Sequence, residues 1–173
     1  MNGTGSFTKG LADVLSLWEG EKFDRAMKRL EELRESWPGN AQLQVLWARL
    51  VQLQEKPTHS LSDVKRALQQ AIELDKQSPA AAIELGYFLD NVEDDPQAAA
   101  KSFAQGIAAA RHLLIEGLLG QARSLIQLDK REDAVRSLVE AHQLADAERG
   151  TKKGPFTGRI EELLTELGQT QPA

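Results

Sequence analysis

Small and apolar residues recur along the chain at helical spacing. Ala26, Leu30 and Leu33 step by four and then by three. The same step returns at Val64, Leu68 and Ala71, at Ala99, Phe103 and Gly106, and at Ala134, Leu138 and Ala141. Side chains so spaced share one face of a helix, so each triplet predicts a helix with one buried stripe. The triplets start 38, 35 and 35 residues apart, which is an internal repeat. A second stripe, at offsets of three, four and seven, precedes each triplet. It reads Leu11, Val14, Leu15, Trp18; Gln44, Trp47, Ala48, Val51; Ala82, Leu85, Gly86, Leu89; and Leu118, Gln121, Ala122, Leu125. A fifth copy, at Ile160, Leu163, Leu164 and Leu167, has no partner stripe after it. The pattern predicts an all-α chain of about four helix pairs and one closing helix.

Polar punctuation supports these boundaries. Asn40 follows Pro38 and Gly39 and is placed to cap a helix. Ser78 and Asp95 each precede a proline, the residue favoured at the first helical position. Ser60 to Asp63 and Asp129 to Glu132 read as capping boxes. Gly150 to Pro155 breaks the chain before the last stripe. The expected organisation is one domain over 7–168, with units at about 7–40, 41–78, 79–113 and 114–148 and a closing helix over 156–168. Residues 1–6 and 169–173 read as flexible ends. The second unit carries about four extra residues near Gln54 to Ser60. Ala48, Gly86 and Ala122 fall where the helices of a pair cross, as do Ala26, Ala99 and Ala134 on the second helix. Small residues there let backbones approach, and stacking the pairs makes one continuous core.

Composition agrees. Leu and Ala number 25 and 22, Val and Ile together only 13, and aromatics are 5%, a helical balance rather than a strand balance. There is no cysteine, which removes disulfides, thiolate catalysis and cysteine zinc sites and fits a reducing compartment. Acids exceed bases by 26 to 21, for a net charge of -5, so nucleic acid is not an expected partner. No apolar run approaches the roughly 20 residues a membrane helix needs. Met1 to Ser6 lacks the basic and apolar regions of a secretory signal, so the expected location is cytoplasmic, or periplasmic if a signal or anchor has been trimmed away.

Three stretches carry a resemblance. They are Ala82, Leu85-Gly86 and Leu89 followed by Ala99, Phe103 and Gly106; Ala122 followed by Ala134, Leu138 and Ala141; and Glu21-Lys22-Phe23 followed by Ala26 and Pro38. In these the chain resembles the tetratricopeptide repeat (TPR) family over about residues 7–148, with a unit of about 34 residues. The family's early tryptophan is missing from every copy. The resemblance implies a right-handed α-solenoid whose first helices line a concave groove for a peptide or a partner's helix. On the family pattern the groove-facing residues are Lys9, Ala12, Asp13 and Ser16; Gln42, Val45, Arg49 and Gln52; Ile83, Tyr87, Asp90 and Asn91; and Leu119, Arg123 and Gln127. Of these, Lys9, Arg49, Gln52, Tyr87, Asn91, Arg123 and Gln127 are the peptide-binding candidates. Arg49, Tyr87 and Arg123 hold equivalent positions, a column suited to an acidic or C-terminal peptide. The alternative is that both arginines pair with neighbouring acids such as Asp90. The family's carboxylate clamp is absent, because its positions hold Ala12, Asp13, Ser16 and Leu46.

Other chemistry is sparse. His59, His112 and His142 lie in different segments, the first in a loop and the others at or near helix ends, without metal-pair spacing. No catalytic grouping, cofactor or metal site is expected. Gly117 and Gly120 read as close helix packing. Gly150 to Gly154 lacks P-loop spacing and reads as a basic connector carrying Lys152 and Lys153. Trp18 and Trp47 belong to apolar stripes. Exposure of Trp37 would mark a partner contact, and the uncovered first helix is a surface for a second copy. The function expected is a non-enzymatic scaffold or adaptor that binds a peptide or partner protein. The alternatives are a specialised secretion or assembly chaperone, and a regulatory or enzymatic module with a site at the solenoid end.

Overall fold

The structure is a computed structural model that describes residues 3–56, 58–146 and 154–168. Those residues form eight α-helices and no strand. They are α1 (Gly3–Glu19), α2 (Phe23–Ser36), α3 (Ala41–Leu53), α4 (Leu61–Leu74), α5 (Pro79–Asn91), α6 (Pro96–Gln127), α7 (Arg131–Asp146) and α8 (Thr157–Glu166). The fold is all-α, of the helix-pair solenoid type with TPR-like pairs. Among the described residues no helix is long and apolar enough to cross a membrane.

The chain divides into two compact units, Met1–Ala108 and Ala109–Ala173, where one domain was expected. In the first unit α1 packs on α2, α2 on α3, α3 on α4, and α5 on both α3 and α4. The start of α6 closes on α5, where Ser102 Oγ donates to the Ala82 carbonyl at 2.8 Å. One buried cluster includes Leu30, Leu43, Leu50, Leu68 and Phe88. In the second unit the rest of α6 meets α7, with Ser137 Oγ donating to Gln121 Oε1 at 3.0 Å, and α7 packs on α8. Ile115, Leu119, Leu138 and Ile160 are fully buried there.

All six small crossing residues are buried: Ala26, Ala48, Gly86, Ala99, Ala122 and Ala134. At Gly86 an added Cβ would lie 2.7 Å from the Phe103 ring. Stripe positions fail at two places: Leu15 is 43% exposed, and Gln121 is exposed.

Capping follows the sequence in part. Asn40 Oδ1 accepts from the Leu43 N–H, Asp95 Oδ1 accepts from Ala98, and Ser60 with Asp63 forms a full capping box. Ser78 makes no side-chain cap, so Pro79 alone starts α5. Asp129 is not a cap either. It holds φ 56, like Glu21 at 56 and Asp94 at 53. Each stands two residues before a second helix, so a left-handed residue turns three of the pairs at repeat spacing. Non-glycine residues adopt that region at a cost of roughly 1–2 kcal/mol. Hydrogen bonds from Lys22 N–H to the Leu17 carbonyl and from Lys130 N–H to the Leu125 carbonyl close the two turns around Glu21 and Asp129. The second pair instead uses the longer loop after Leu53.

Two further expectations are corrected. Helix α1 begins at Gly3, so residues 3–6 are helical rather than a flexible lead. Packing of Phe7 on Trp37, 5.4 Å between ring centroids, anchors this end and overrides weak propensity. The turn expected between residues 113 and 114 does not occur, because α6 runs unbroken from Pro96 to Gln127. Between Ala108 and Glu116 there is neither a proline nor a glycine nor an N-capping side chain, and Ala, Arg, Leu and Glu all favour continuation. Gly117 and Gly120 lie exposed on this helix with nothing within 4 Å, so they do not mediate close packing. The connector with Lys152 and Lys153 and the tail 169–173 lie outside the described residues.

Candidate binding face on the first unit

Helices α3 and α5 are first helices of successive pairs, and they lie in contact. The repeat offset places Arg49 of α3 beside Glu84 of α5, and the guanidinium donates to that carboxylate. Pairing with a neighbouring acid was the alternative reading for this arginine, and the acid is Glu84 rather than Asp90. Glu84 stands one turn before Tyr87 on the same face of α5, a spacing that could have identified it. The Arg49 side chain is about half exposed, and ion pairs open to solvent in this way are worth roughly 0–1 kcal/mol. The pair sets the character of the face more than its stability.

Tyr87 is 54% exposed, and its ring stands edge-on to Phe103 with centroids 5.1 Å apart. Phe103 in turn fills the space left by the missing side chain of Gly86. The glycine, the phenylalanine and the tyrosine thus form one support that fixes an amphipathic ring at the surface. Phe103 was expected as stripe, not as support for the candidate. Gln52 is exposed one turn after Arg49, and its amide donates to the Ala48 carbonyl at 2.9 Å. Asn91 is exposed at the end of α5, and Lys9 is exposed on α1.

The other groove positions scatter. Val45 is buried in the first core, and Leu119 is fully buried in the second, so neither faces a ligand. Burial follows because the apolar faces of α3 and α6 are wider than one stripe, with Leu43 and Ile115 extending them. Asp13 approaches Arg29 at 3.5 Å, toward α2. The strong Arg29 hydrogen bond to Glu32, with Asp13 nearby, raises the Arg29 pKa. Arg123 and Gln127 are exposed on the part of α6 that belongs to the second unit.

Within that second unit Arg159 donates to Glu116 Oε1 at 2.7 Å. This bond, with smaller contributions from His112 and Arg123, holds the Glu116 carboxyl below the usual glutamate range. A depressed carboxyl stabilises the folded form above its unfolded pKa, about 4.3, and the contribution disappears as pH falls through the folded value. Asp63, lowered by its hydrogen bonds from Ser60, acts in the same direction in the first unit. Thermal melts should therefore show a midpoint that drops below about pH 4.3. Glu116→Gln should lower the midpoint modestly near neutrality, where the ion pair contributes, and flatten part of the acid drop.

The histidines and tryptophans have defined surroundings. His112 lies inside α6 rather than near a helix end, edge-on to Phe156 at 4.6 Å. His142 Nδ1 lies 3.1 Å from Asp146 Oδ2, one turn on in α7. Among the described residues no group of three acidic or histidine side chains is placed to hold a metal. Trp47 is buried, Trp18 partly buried, and Trp37 38% exposed.

No family model matches the sequence, and no curated protein matches it. Among solved structures the chain is similar to MamA 41-end from Desulfovibrio magneticus RS-1. Identity is 22% and the TM-score is 0.52, covering 61% of this chain and 57% of that one. A second structure, of MamA protein, aligns over 96% of both chains at 14% identity and a TM-score of 0.49. At 22% identity the first likeness concerns the fold alone.

Proposed function

We propose that the chain is a non-enzymatic interaction scaffold that holds a peptide or partner segment on the α3–α5 face. The observation that carries this reading is Tyr87, half exposed yet braced by Phe103 at 5.1 Å. A ring fixed at a surface loses little conformational freedom on binding, and tyrosine is enriched among residues that dominate interface energies. Gln52 and Asn91 add hydrogen-bonding groups along the same helices.

The Arg49–Glu84 pair narrows the ligand. A partner carboxylate has to compete with Glu84 for the guanidinium, so an acidic tail is a poorer fit than expected from sequence. A segment offering an apolar side chain to Tyr87 and backbone groups to Gln52 and Asn91 is the better fit. We read the pairs as diverged tetratricopeptide repeats, on the repeat offset and the small crossing residues. A second copy of the chain is also a partner this reading admits, at the α1 end where Leu15 and Trp37 are exposed.

Affinity capture from source lysate with wild type, Tyr87→Ala and the Arg49→Ala, Tyr87→Ala pair tests the reading. Partners recovered by wild type should fall about tenfold or more with Tyr87→Ala, as expected of a hot-spot loss of about 2 kcal/mol. Circular dichroism should show the variants folded. Partners retained in full by the folded double variant would remove the α3–α5 face from consideration.

A further inference from the structure

Acids and bases alternate along α2, but the fold sorts them onto different sides. Asp24 Oδ1 accepts from Gln54 Nε2 at 3.4 Å, and Glu31 Oε1 lies 3.0 Å from His59 Nε2, so side chains beyond α3 engage both acids. Arg25, Lys28 and Arg29 are three and four residues apart and share another face of α2. That face lines an open cleft of about 450 Å³ against Asp13, Ser16 and Leu17 of α1, with Glu32 beside the bases.

Both acids of the cleft are already held. Arg29 Nη1 donates to Glu32 Oε2 at 2.8 Å, and its Nη2 lies 3.5 Å from Asp13 Oδ2. Arg29 therefore joins the two walls and leaves Arg25 and Lys28 with no acid to answer them. Among the described residues neither of those side chains makes an ion pair or a hydrogen bond. Like charges one turn apart on a helix repel each other, so the two cations do not stabilise α2.

We propose that the α1–α2 cleft docks a short acidic segment of a partner protein. Arg25 and Lys28 receive two carboxylates, and the partly buried Leu17 meets an apolar side chain between them. Charge complementarity selects this occupant. The lining carries three bases and two acids, a local excess of one positive charge on a chain of net charge -5. A long polyanion such as nucleic acid is repelled by that overall charge, and no aromatic ring lines the cleft as a stacking platform. A segment with two carboxylates brings only what the two open cations neutralise, and an arginine can grip one of them with two parallel hydrogen bonds. The cleft belongs to α1 and α2, so its use does not depend on Tyr87 or the α3–α5 face.

NMR titration of the full chain at low ionic strength tests it, with a capped peptide carrying two glutamates about a leucine. Amide signals of Ser16, Leu17 and residues 25–29 should move, and affinity should fall as salt rises. The same peptide with glutamines should bind about fivefold more weakly, the loss of two exposed ion pairs. The Arg25→Gln, Lys28→Gln pair should weaken the acidic peptide by a similar factor, and Tyr87→Ala should leave it unchanged. The reversal Arg25→Glu, Lys28→Glu should turn the preference toward a peptide with two lysines. Both cations are exposed, so these variants should keep the wild-type circular dichroism. Equal binding of the glutamate and glutamine peptides would overturn the proposal. So would unchanged binding by the Arg25→Gln, Lys28→Gln variant, or tighter binding of a DNA oligonucleotide at the same residues.

Discussion

Replacing Gly106 with leucine is expected to destabilise the first unit by about 3 kcal/mol, the upper end of overpacking costs. A Cβ at this position would lie 2.7 Å from Ile83 Cγ1, 3.2 Å from the Pro79 carbonyl oxygen and 3.3 Å from the Ile83 nitrogen. The last two are backbone atoms of α5, which cannot rotate out of the way. Helices α5 and α6 would have to separate and loosen Ala82 and Leu85 beneath them. Two controls lie on the same helix. Gly117→Leu and Gly120→Leu enter open space and remove a poor helix former, so each should be neutral or stabilising by up to about 1 kcal/mol. Urea unfolding followed by circular dichroism distinguishes these cases. Equal effects at Gly106 and Gly117 would show that the crossing is not where the packing is tight. Gly86 differs in kind, because its obstacle is the movable ring of Phe103. Gly86→Ala should disturb the brace under Tyr87, and hence binding, more than it disturbs stability.

Leu138→Ala is expected to cost the second unit about 2–5 kcal/mol. Leu138 is fully buried and shares its cluster with Ile115, Leu119 and Ile160. The unit spans Ala109–Ala173. A chain of that size commonly has a total stability of about 3–10 kcal/mol, so the loss is a large share of what holds it. Each unit has its own buried cluster, so the effect should be local. Native-state hydrogen exchange should accelerate in α7 and α8 while α2 to α4 keep their protection. Leu30→Ala, at a fully buried site in the first unit, should show the converse. Uniform acceleration along the chain in both variants would mean one cooperative body and would remove the two-unit division as an energetic fact.

The candidate face was legible only in part. Arg49, Gln52, Tyr87 and Asn91 are exposed as the repeat pattern implied. What the pattern could not supply was the Glu84 partner of Arg49 and the Phe103 support of Tyr87, because both are contacts between helices. Val45 and Leu119 were misassigned for the same reason. A helix face reads as apolar or polar from spacing, but its width depends on how many neighbours pack on it.

The sequence by itself determined the all-α class, the unit length and the small residues at each crossing. These depend on the 3.6-residue period and on side-chain size, which are properties of local sequence. The left-handed turn residues carry a weaker mark: Asp94 and Asp129 are of a type that enters this region more readily than most, but Glu21 is not, and the flanking helices hold it there. Tertiary structure alone decided that the chain divides near Ala108, within a helix that local preference carries through the expected boundary. A turn forms where ending a helix exposes less apolar surface than continuing it. Along Ala108 to Glu116 the local preferences favour continuation, and only the packing of Ile115 and Leu119 in the second unit settles where those residues belong.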